Sequence, residues 1–394
     1  MTRLAPLLLA AAALTGCVAV PPPAPAPDGS AAAWVVFDRT GPLGSGAEGL
    51  ADRAAGRPLT IDDPVRIASI SKLVVAIGVM RLVEEGVLDL DADVSHRLGF
   101  ALRNPAFPDR PVTLRHLLSH TSGLRDSVNY AVPLGARLRD TLADPAAFDP
   151  GHPPGAFFAY ANLGSPVVAQ VMERATGERF DLLMRRLVIS PLGLDACFNW
   201  PTCSDAAVAR AGVLYDERGV VARDALNGRR PDCPVVPSAD GRCDWQAYAV
   251  GTNGALFSPQ GGLRISASDL ARIGRLLLDR GAPLIGEAAF AEMTRLHWRF
   301  DGGNGDSESG FYCGYGLGVQ ILAQCAPGDD PFGDGRPRFG HAGDAYRLRS
   351  GLWVDPAAGR GIAYFATAVA VDAPRGASAY RQAEERLARR LLTP

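Results

Sequence analysis

Apolar residues recur at helical spacing after Ser69, at Leu73, Ile77, Met80 and Leu82-Val83, with Gly86 placed as a C-terminal stop. The pattern predicts a helix over 69–85. Similar patterns predict a short helix over 113–118 behind Pro111, a helix over 165–176 stopped by Gly177, and a continuation over 180–188 ahead of Pro191. Ser266 reads as an N-cap, with Asp269 in the first turn of a helix running to Asp279. β-rich runs lie near both ends. One covers 34–38 and is followed by a glycine-punctuated stretch, 41–57, that suits hairpin turns; others fall around 315–322, 348–355 and 361–369. An amphipathic helix over 377–392 closes the chain. Residues 197–250 carry cysteines and no apolar period, and read as an inserted surface region. There is no internal repeat.

Strands at both ends with helices between predict a split α+β architecture. The terminal strands share one sheet, the middle forms a helical lobe, and catalytic groups gather at the junction. The first residues stand apart from this. Met1-Thr-Arg3 is a positive start, 4–14 is apolar, and Leu14-Thr-Gly-Cys17 follows. The run is shorter than the ~20 apolar residues that span a bilayer and has the layout of a secretory signal, 1–16. The small residues before Cys17 resemble the lipobox of bacterial lipoproteins, which implies cleavage before Cys17 and its acylation; an ordinary signal peptide is the alternative. Residues 17–30, with Pro21-Pro-Pro-Ala-Pro-Ala-Pro27, then form a tether, and the protein is expected to be exported and lipid-anchored, facing the periplasm or cell exterior. About 365 residues remain for folding, long for one core.

Net charge is −2 and aromatic residues are 7% of the chain, so nothing points to nucleic acid. Setting Cys17 aside, the remaining cysteines fall into three local couples: Cys197 with Cys203, Cys233 with Cys243, Cys313 with Cys325. In an exported chain they read as disulfides. A metal site is the weaker reading, since there is no Cys-x-x-Cys and no nearby histidine.

The chemistry starts from an imbalance. The chain has one lysine, Lys72, against thirty-nine arginines. Arginine supplies charge and ion pairs but does not lose its proton, whereas a desolvated lysine does. Lys72 follows Ser69 by three residues, so on a helix that Ser69 opens the amine shares a face with the hydroxyl. Burial and a helix N-terminus both favour a neutral amine there. The apolar flanks argue against a solvated lysine beside a capping serine. Ser71 has no base three residues on, only Val74. His116 and His120 have a zinc-compatible spacing but no third ligand nearby. No Gly-x-Ser-x-Gly occurs, against an α/β-hydrolase elbow.

Ser69-Ile-Ser-Lys72, Tyr160-Ala-Asn162 and His341-Ala-Gly343 together resemble the three motifs of the serine β-lactamase and penicillin-binding protein superfamily, in its class C-related form. Connecting phrases agree, among them Val112-Thr-Leu-Arg-His-Leu-Leu-Ser-His-Thr-Ser-Gly-Leu124 and Gly261-Gly-Leu-Arg-Ile-Ser-Ala-Ser-Asp-Leu270. The resemblance covers roughly 33–390. It implies a central antiparallel sheet flanked by helices, with one domain over 31–394: an α/β lobe from about 31–95 and 255–394 and a helical lobe over about 96–254. It implies Ser69 as acylated nucleophile, Lys72 as its proton partner, and Tyr160 as second base, its phenol depressed by the lysine ammonium. Asn162 would orient Lys72 or substrate. His341 and Gly343 would edge the site, the glycine admitting the substrate backbone, and the Ser69 and Asp344 amides would form the oxyanion hole. Asp344 departs from the small residue usual there, and discourages substrates with a free carboxylate unless Arg347 or Arg349 compensates. The expected function is an acyl-enzyme serine hydrolase needing no cofactor or metal, first a carboxylesterase or amidase on small acyl compounds, then a D,D-carboxypeptidase or D-aminopeptidase on peptidoglycan-derived substrates, then a β-lactamase. A tethered non-catalytic binding module is the alternative of another class.

Overall fold

Two chain ends meet in one sheet. Strand β1, Ala31–Asp38, pairs antiparallel with β2, Pro42–Glu48, on one side and with Arg360–Thr367 on the other, Ala31 opposite Thr367 and Asp38 opposite Arg360. The computed structural model describes residues 30–393 apart from Glu217, so the leader, Cys17 and all but the last residue of the expected tether lie outside the described residues. The full sheet has eight antiparallel strands, in the order Trp298–Arg299, Gly314–Tyr315, Gln320–Ile321, Phe339–Ala345, Leu348–Asp355, Arg360–Thr367, β1, β2.

Both faces of this sheet are covered, which is why β1 reads as nearly continuous apolar residues and not as an alternation. Ala33, Val35 and Phe37 enter one core with Leu270, Ile273 and Leu277 of the Ala267–Leu278 helix. Ala32 and Val36 point the other way, into a second core with Leu387, Ala388 and Leu391 at the C-terminus. Helix α1, Ile70–Glu84, is buried at every position through Met80, as expected of a helix enclosed on all sides. It packs between the Phe339–Ala345 strand and the helical middle of the chain, where Arg81 Nη1 donates to the Leu187 carbonyl at 2.6 Å. Among the described residues no helix is long and apolar enough to cross a membrane.

The punctuation residues act as their chemistry predicts. Ser266 Oγ accepts the Asp269 N–H, Thr113 Oγ1 accepts the His116 N–H, and Gly177 ends its helix at φ +70°. The three local cysteine couples are disulfides. Two expectations are corrected. The closing helix begins at Gln382, not 377, because Glu385 Oε1 takes both the N–H and the hydroxyl of Ser378 and holds the preceding segment folded back. The 315–322 strand is two two-residue strands around a turn at Gly316–Gly318. The 197–250 region is also more than surface. It has a small core of its own around Trp200, with the Cys197–Cys203 bridge, Ala207 and Val208. Its strand Cys197–Phe198 joins Leu263–Ile265 and Val65–Arg66 in a separate three-stranded sheet just ahead of Ser69.

Candidate active site

Ser69 occupies the N-cap of α1, yet its side chain makes no capping bond. Its Oγ instead lies 3.2 Å from Lys72 Nζ. The turn that delivers it is sharp. Ala68, buried, has φ +58°, a conformation that costs a non-glycine residue about 1–3 kcal/mol. Neighbouring strands hold that turn in place. Ser350 Oγ donates to the Ile67 carbonyl at 2.8 Å, and a Cβ on Gly343 would collide with Ser350 Oγ and the Ile67 carbonyl. Gly343 thus owes its identity to the close approach of its strand to the 67–68 turn, a reason the sequence reading did not contain. Ser71 is structural: its hydroxyl donates to the Ala68 carbonyl and accepts the Leu263 N–H.

Lys72 is 5% exposed and makes two further bonds, to Asn162 Oδ1 at 2.8 Å and the Gln260 carbonyl at 3.0 Å. Both partners can only accept. The Asn162 amide is oriented by Asp126, whose carboxylate takes the Asn162 Nδ2–H, the Asn162 N–H and the Leu163 N–H, each at 2.9 Å. A neutral amine has two hydrogens and one lone pair. With its hydrogens directed at Asn162 and Gln260, the lone pair is left for the Ser69 hydroxyl. Burial pushes the Lys72 pKa down to about 7, against an opposing pull from Asp126.

Tyr160 packs beside Lys72. Lys72 Nζ sits 4.7 Å from the centre of its ring, over the face and not at the hydroxyl. Burial pushes the Tyr160 phenol above its ordinary value, with the Ser69 and Tyr312 hydroxyls offsetting only part. Burial thus favours the protonated phenol at Tyr160 and the neutral amine at Lys72, a direction opposite to the depressed phenol that the resemblance implied. The hydroxyl is buried near the Ser69 and Tyr312 hydroxyls, and among the described residues none forms a full hydrogen bond with it. Tyr312 stacks on the ring at 4.8 Å and His120 packs against it at 4.4 Å. His120 Nδ1 accepts the Ala161 N–H, so this histidine serves as a floor under Tyr160.

His341 is placed beneath the site. Its Nδ1–H donates to the Ala342 carbonyl and its Nε2 accepts from Tyr315 at 2.7 Å, and burial pushes its pKa down to about 3. The ring is a neutral support and is absent from the cleft wall, whereas substrate contact was expected. Asp344 does reach the cleft, where Arg349 Nη1 pairs with its carboxylate at 2.5 Å. The cleft measures about 1340 Å³ and is lined by Ser69, Tyr160, Asn162, Gly343 and Asp344 together with residues 222–226, 231 and 233–237 of the cysteine-bearing region. Sequence reasoning missed Asp126, the Gln260 carbonyl and Tyr312. Asp126 lies two residues past a phrase that was recognised; a backbone carbonyl and a stacking tyrosine carry no local signal.

A family model described as Beta-lactamase matches residues 26–386. Esterase EstB of Burkholderia gladioli is 37% identical over 170 residues, covering 38% of this chain and 42% of the esterase. Penicillin-binding protein 4 of Amycolatopsis lactamdurans is 28% identical over 319 residues, 79% of this chain and 74% of that protein. The chain thus spans less than half the length of the first relative and most of the second. Among solved structures, EstCE1, a hydrolase with promiscuous acyltransferase activity, matches with a TM-score of 0.68 at 22% identity, over 92% of this chain and 93% of that one. D-amino acid amidase from Ochrobactrum anthropi SV3 matches with a TM-score of 0.65 at 17% identity, over 92% and 94%. At these identities the two structures speak to the fold, an α/β arrangement around a large antiparallel sheet.

Proposed function

Since the chain belongs to the Beta-lactamase family, we propose that it is a serine hydrolase that cleaves small esters and amides through an acyl-enzyme on Ser69. The observation that carries this reading is the Lys72 amine, buried, lowered to about 7 and 3.2 Å from Ser69 Oγ. At neutral pH about half of such amines are unprotonated. The lone pair takes the Ser69 proton as Oγ attacks the carbonyl carbon, and the carbonyl oxygen takes up the negative charge. The Ser69 and Asp344 amides are assigned to that oxyanion, a role worth about 3 kcal/mol per donor. Tyr160, entering as the phenol, gives its proton to the departing oxygen or nitrogen, and the Lys72 ammonium against its ring balances the phenolate charge until the attacking water returns a proton. Water then enters by the same route in reverse and frees the acid and Ser69.

The likeness to an esterase over part of the chain favours small acyl substrates first. A second reading, D,D-carboxypeptidase action on cell-wall peptides, draws on the longer match to a penicillin-binding protein. Export and a lipid anchor at Cys17 complete the proposal and would keep the enzyme at a membrane, outside the cytoplasm. The test uses the full chain. p-Nitrophenyl acetate and butyrate should be hydrolysed, Ser69→Ala should be inactive, and turnover of short esters should exceed that of nitrocefin and of a D-Ala-D-Ala peptide. No turnover and no labelling by a fluorophosphonate would sink the enzyme reading. Palmitate incorporation that is lost in Cys17→Ser tests the anchor.

A further inference from the structure

One wall of the cleft carries more positive charge than its own partners neutralise. Arg66 and Arg264 lie directly opposite each other in the pairing of Val65–Arg66 with Leu263–Ile265. Like charges facing across a ladder cost stability. Arg223 joins them from the strand Val221–Arg223 of the cysteine-bearing region, and all three line the cleft. Among the described residues a single carboxylate, Asp224, faces the three guanidinium groups: its Oδ1 accepts from Arg264 Nη2 at 3.0 Å and from Trp200 Nε1 at 2.9 Å, while its Oδ2 is buried without a hydrogen-bond partner. Arg264 is further filled by Asn199 Oδ1 and the Gly262 carbonyl.

Arg66 and Arg223 are left. Among the described residues neither has a carboxylate within salt-bridge distance, and both guanidinium groups lie on the Tyr346 ring, at 5.3 and 4.8 Å from its centre. Arg66 Nε is buried with no hydrogen-bond partner. Their field is strong enough to show on a neighbour: burial raises the Tyr346 phenol, but Arg66 and Arg223 outweigh it and hold the phenol below its ordinary value. Surroundings that favour a phenolate favour any small anion placed there. Across the cleft, Asp344 is paired with Arg349, so its charge is met before a substrate arrives.

We propose that Arg66, Arg223 and Tyr346 form a subsite for a carboxylate carried by the substrate. The proposal rests on the hydrolase reading and narrows it to half-esters or half-amides of short dicarboxylic acids. Arg66 precedes Ser69 by three residues, so their Cα atoms are at most about 11 Å apart. A carboxylate held by Arg66 and a carbonyl held at Ser69 then fit one small molecule. Guanidinium groups suit this anion because their planar N–H pairs match its two oxygens.

Binding to Ser69→Ala separates this proposal from the hydrolase reading, because it needs no turnover. Calorimetry should show monomethyl glutarate binding more tightly than neutral dimethyl glutarate. Adding Arg223→Gln should cut the ratio of the two affinities about tenfold, and about 0.5 M NaCl should also reduce it. Arg66→Gln should act in the same direction. Equal affinity for half-ester and diester, or a ratio indifferent to both substitutions, overturns the subsite whatever the wild type does with p-nitrophenyl esters. With turnover present, p-nitrophenyl hemiglutarate should have the lower KM beside p-nitrophenyl butyrate.

Discussion

Asp126 controls the nucleophile without touching it, and replacing it by asparagine separates its two effects. The carboxylate reaches Lys72 through the Asn162 amide, which is 2.9 Å from Asp126 Oδ2 on one side and 2.8 Å from Lys72 Nζ on the other. With the amide between them the charges are about 7 Å apart, and at an effective dielectric of about 40, between buried and exposed values, their attraction is about 1 kcal/mol. That is close to one pH unit. The carboxylate favours the ammonium, so removing its charge lowers the Lys72 pKa further, from about 7 towards about 6. The acid limb of kcat/KM, which reports the free enzyme's base, should move to lower pH by roughly one unit. The plateau should fall about tenfold, because a carboxamide cannot accept all three N–H groups that the carboxylate accepts. The assay is kcat/KM for p-nitrophenyl acetate from pH 5 to 9 at low ionic strength, for wild type and Asp126→Asn. A limb that stays in place or moves upward refutes the reasoning, since the charge of Asp126 would then not be felt by the catalytic amine.

Three further outcomes follow from the same geometry. Lys72→Arg keeps charge and bulk but cannot present a lone pair, and should lose at least about a hundredfold in acylation rate, read by stopped-flow release of p-nitrophenol; near-normal rates would remove Lys72 from the base role. Lys72→Met removes a group that gives up its proton near pH 7 when folded but near 10.5 when unfolded. The unfolded wild type binds the extra proton across that window, so wild-type stability relative to Lys72→Met should rise by a few kcal/mol between pH 7 and pH 10 in urea unfolding; a constant gap would mean an amine charged in the fold. Gly343→Ala should push its strand away from the Ala68 turn and cost about 1–3 kcal/mol of stability together with most activity. Unchanged melting and turnover would show that the strand has room to move.

Much of the frame was legible because it depends on local chemistry. The helix behind Ser69, the Gly177 stop, the Ser266 cap and the three cysteine couples each follow from residues close in sequence, the cysteines 6, 10 and 12 positions apart. The strand Phe339–Ala345 was reached by motif resemblance; its sequence, with Gly340, His341, Gly343 and Asp344, has no alternating apolar pattern. Strands of two residues, such as Gln320–Ile321, are too short for any period to show. At the site, spacing placed Ser69 beside Lys72 but was silent on what fixes the lysine. That depends on contacts remote in sequence, through Asn162 to Asp126 and to a carbonyl at 260. The proton assignment for Tyr160 and the inward turn of His341 depend on burial, which a sequence motif does not carry.

The central claim is that the Ser69 hydroxyl, activated by a neutral Lys72, becomes acylated. Intact-protein mass spectrometry after fluorophosphonate treatment, followed by peptide mapping, tests it most directly. The account predicts one adduct, on Ser69, forming faster as pH rises through about 7 and nearly absent in Lys72→Arg. An adduct on Ser71, or labelling of Ser69 at the same rate with arginine at position 72, would contradict it.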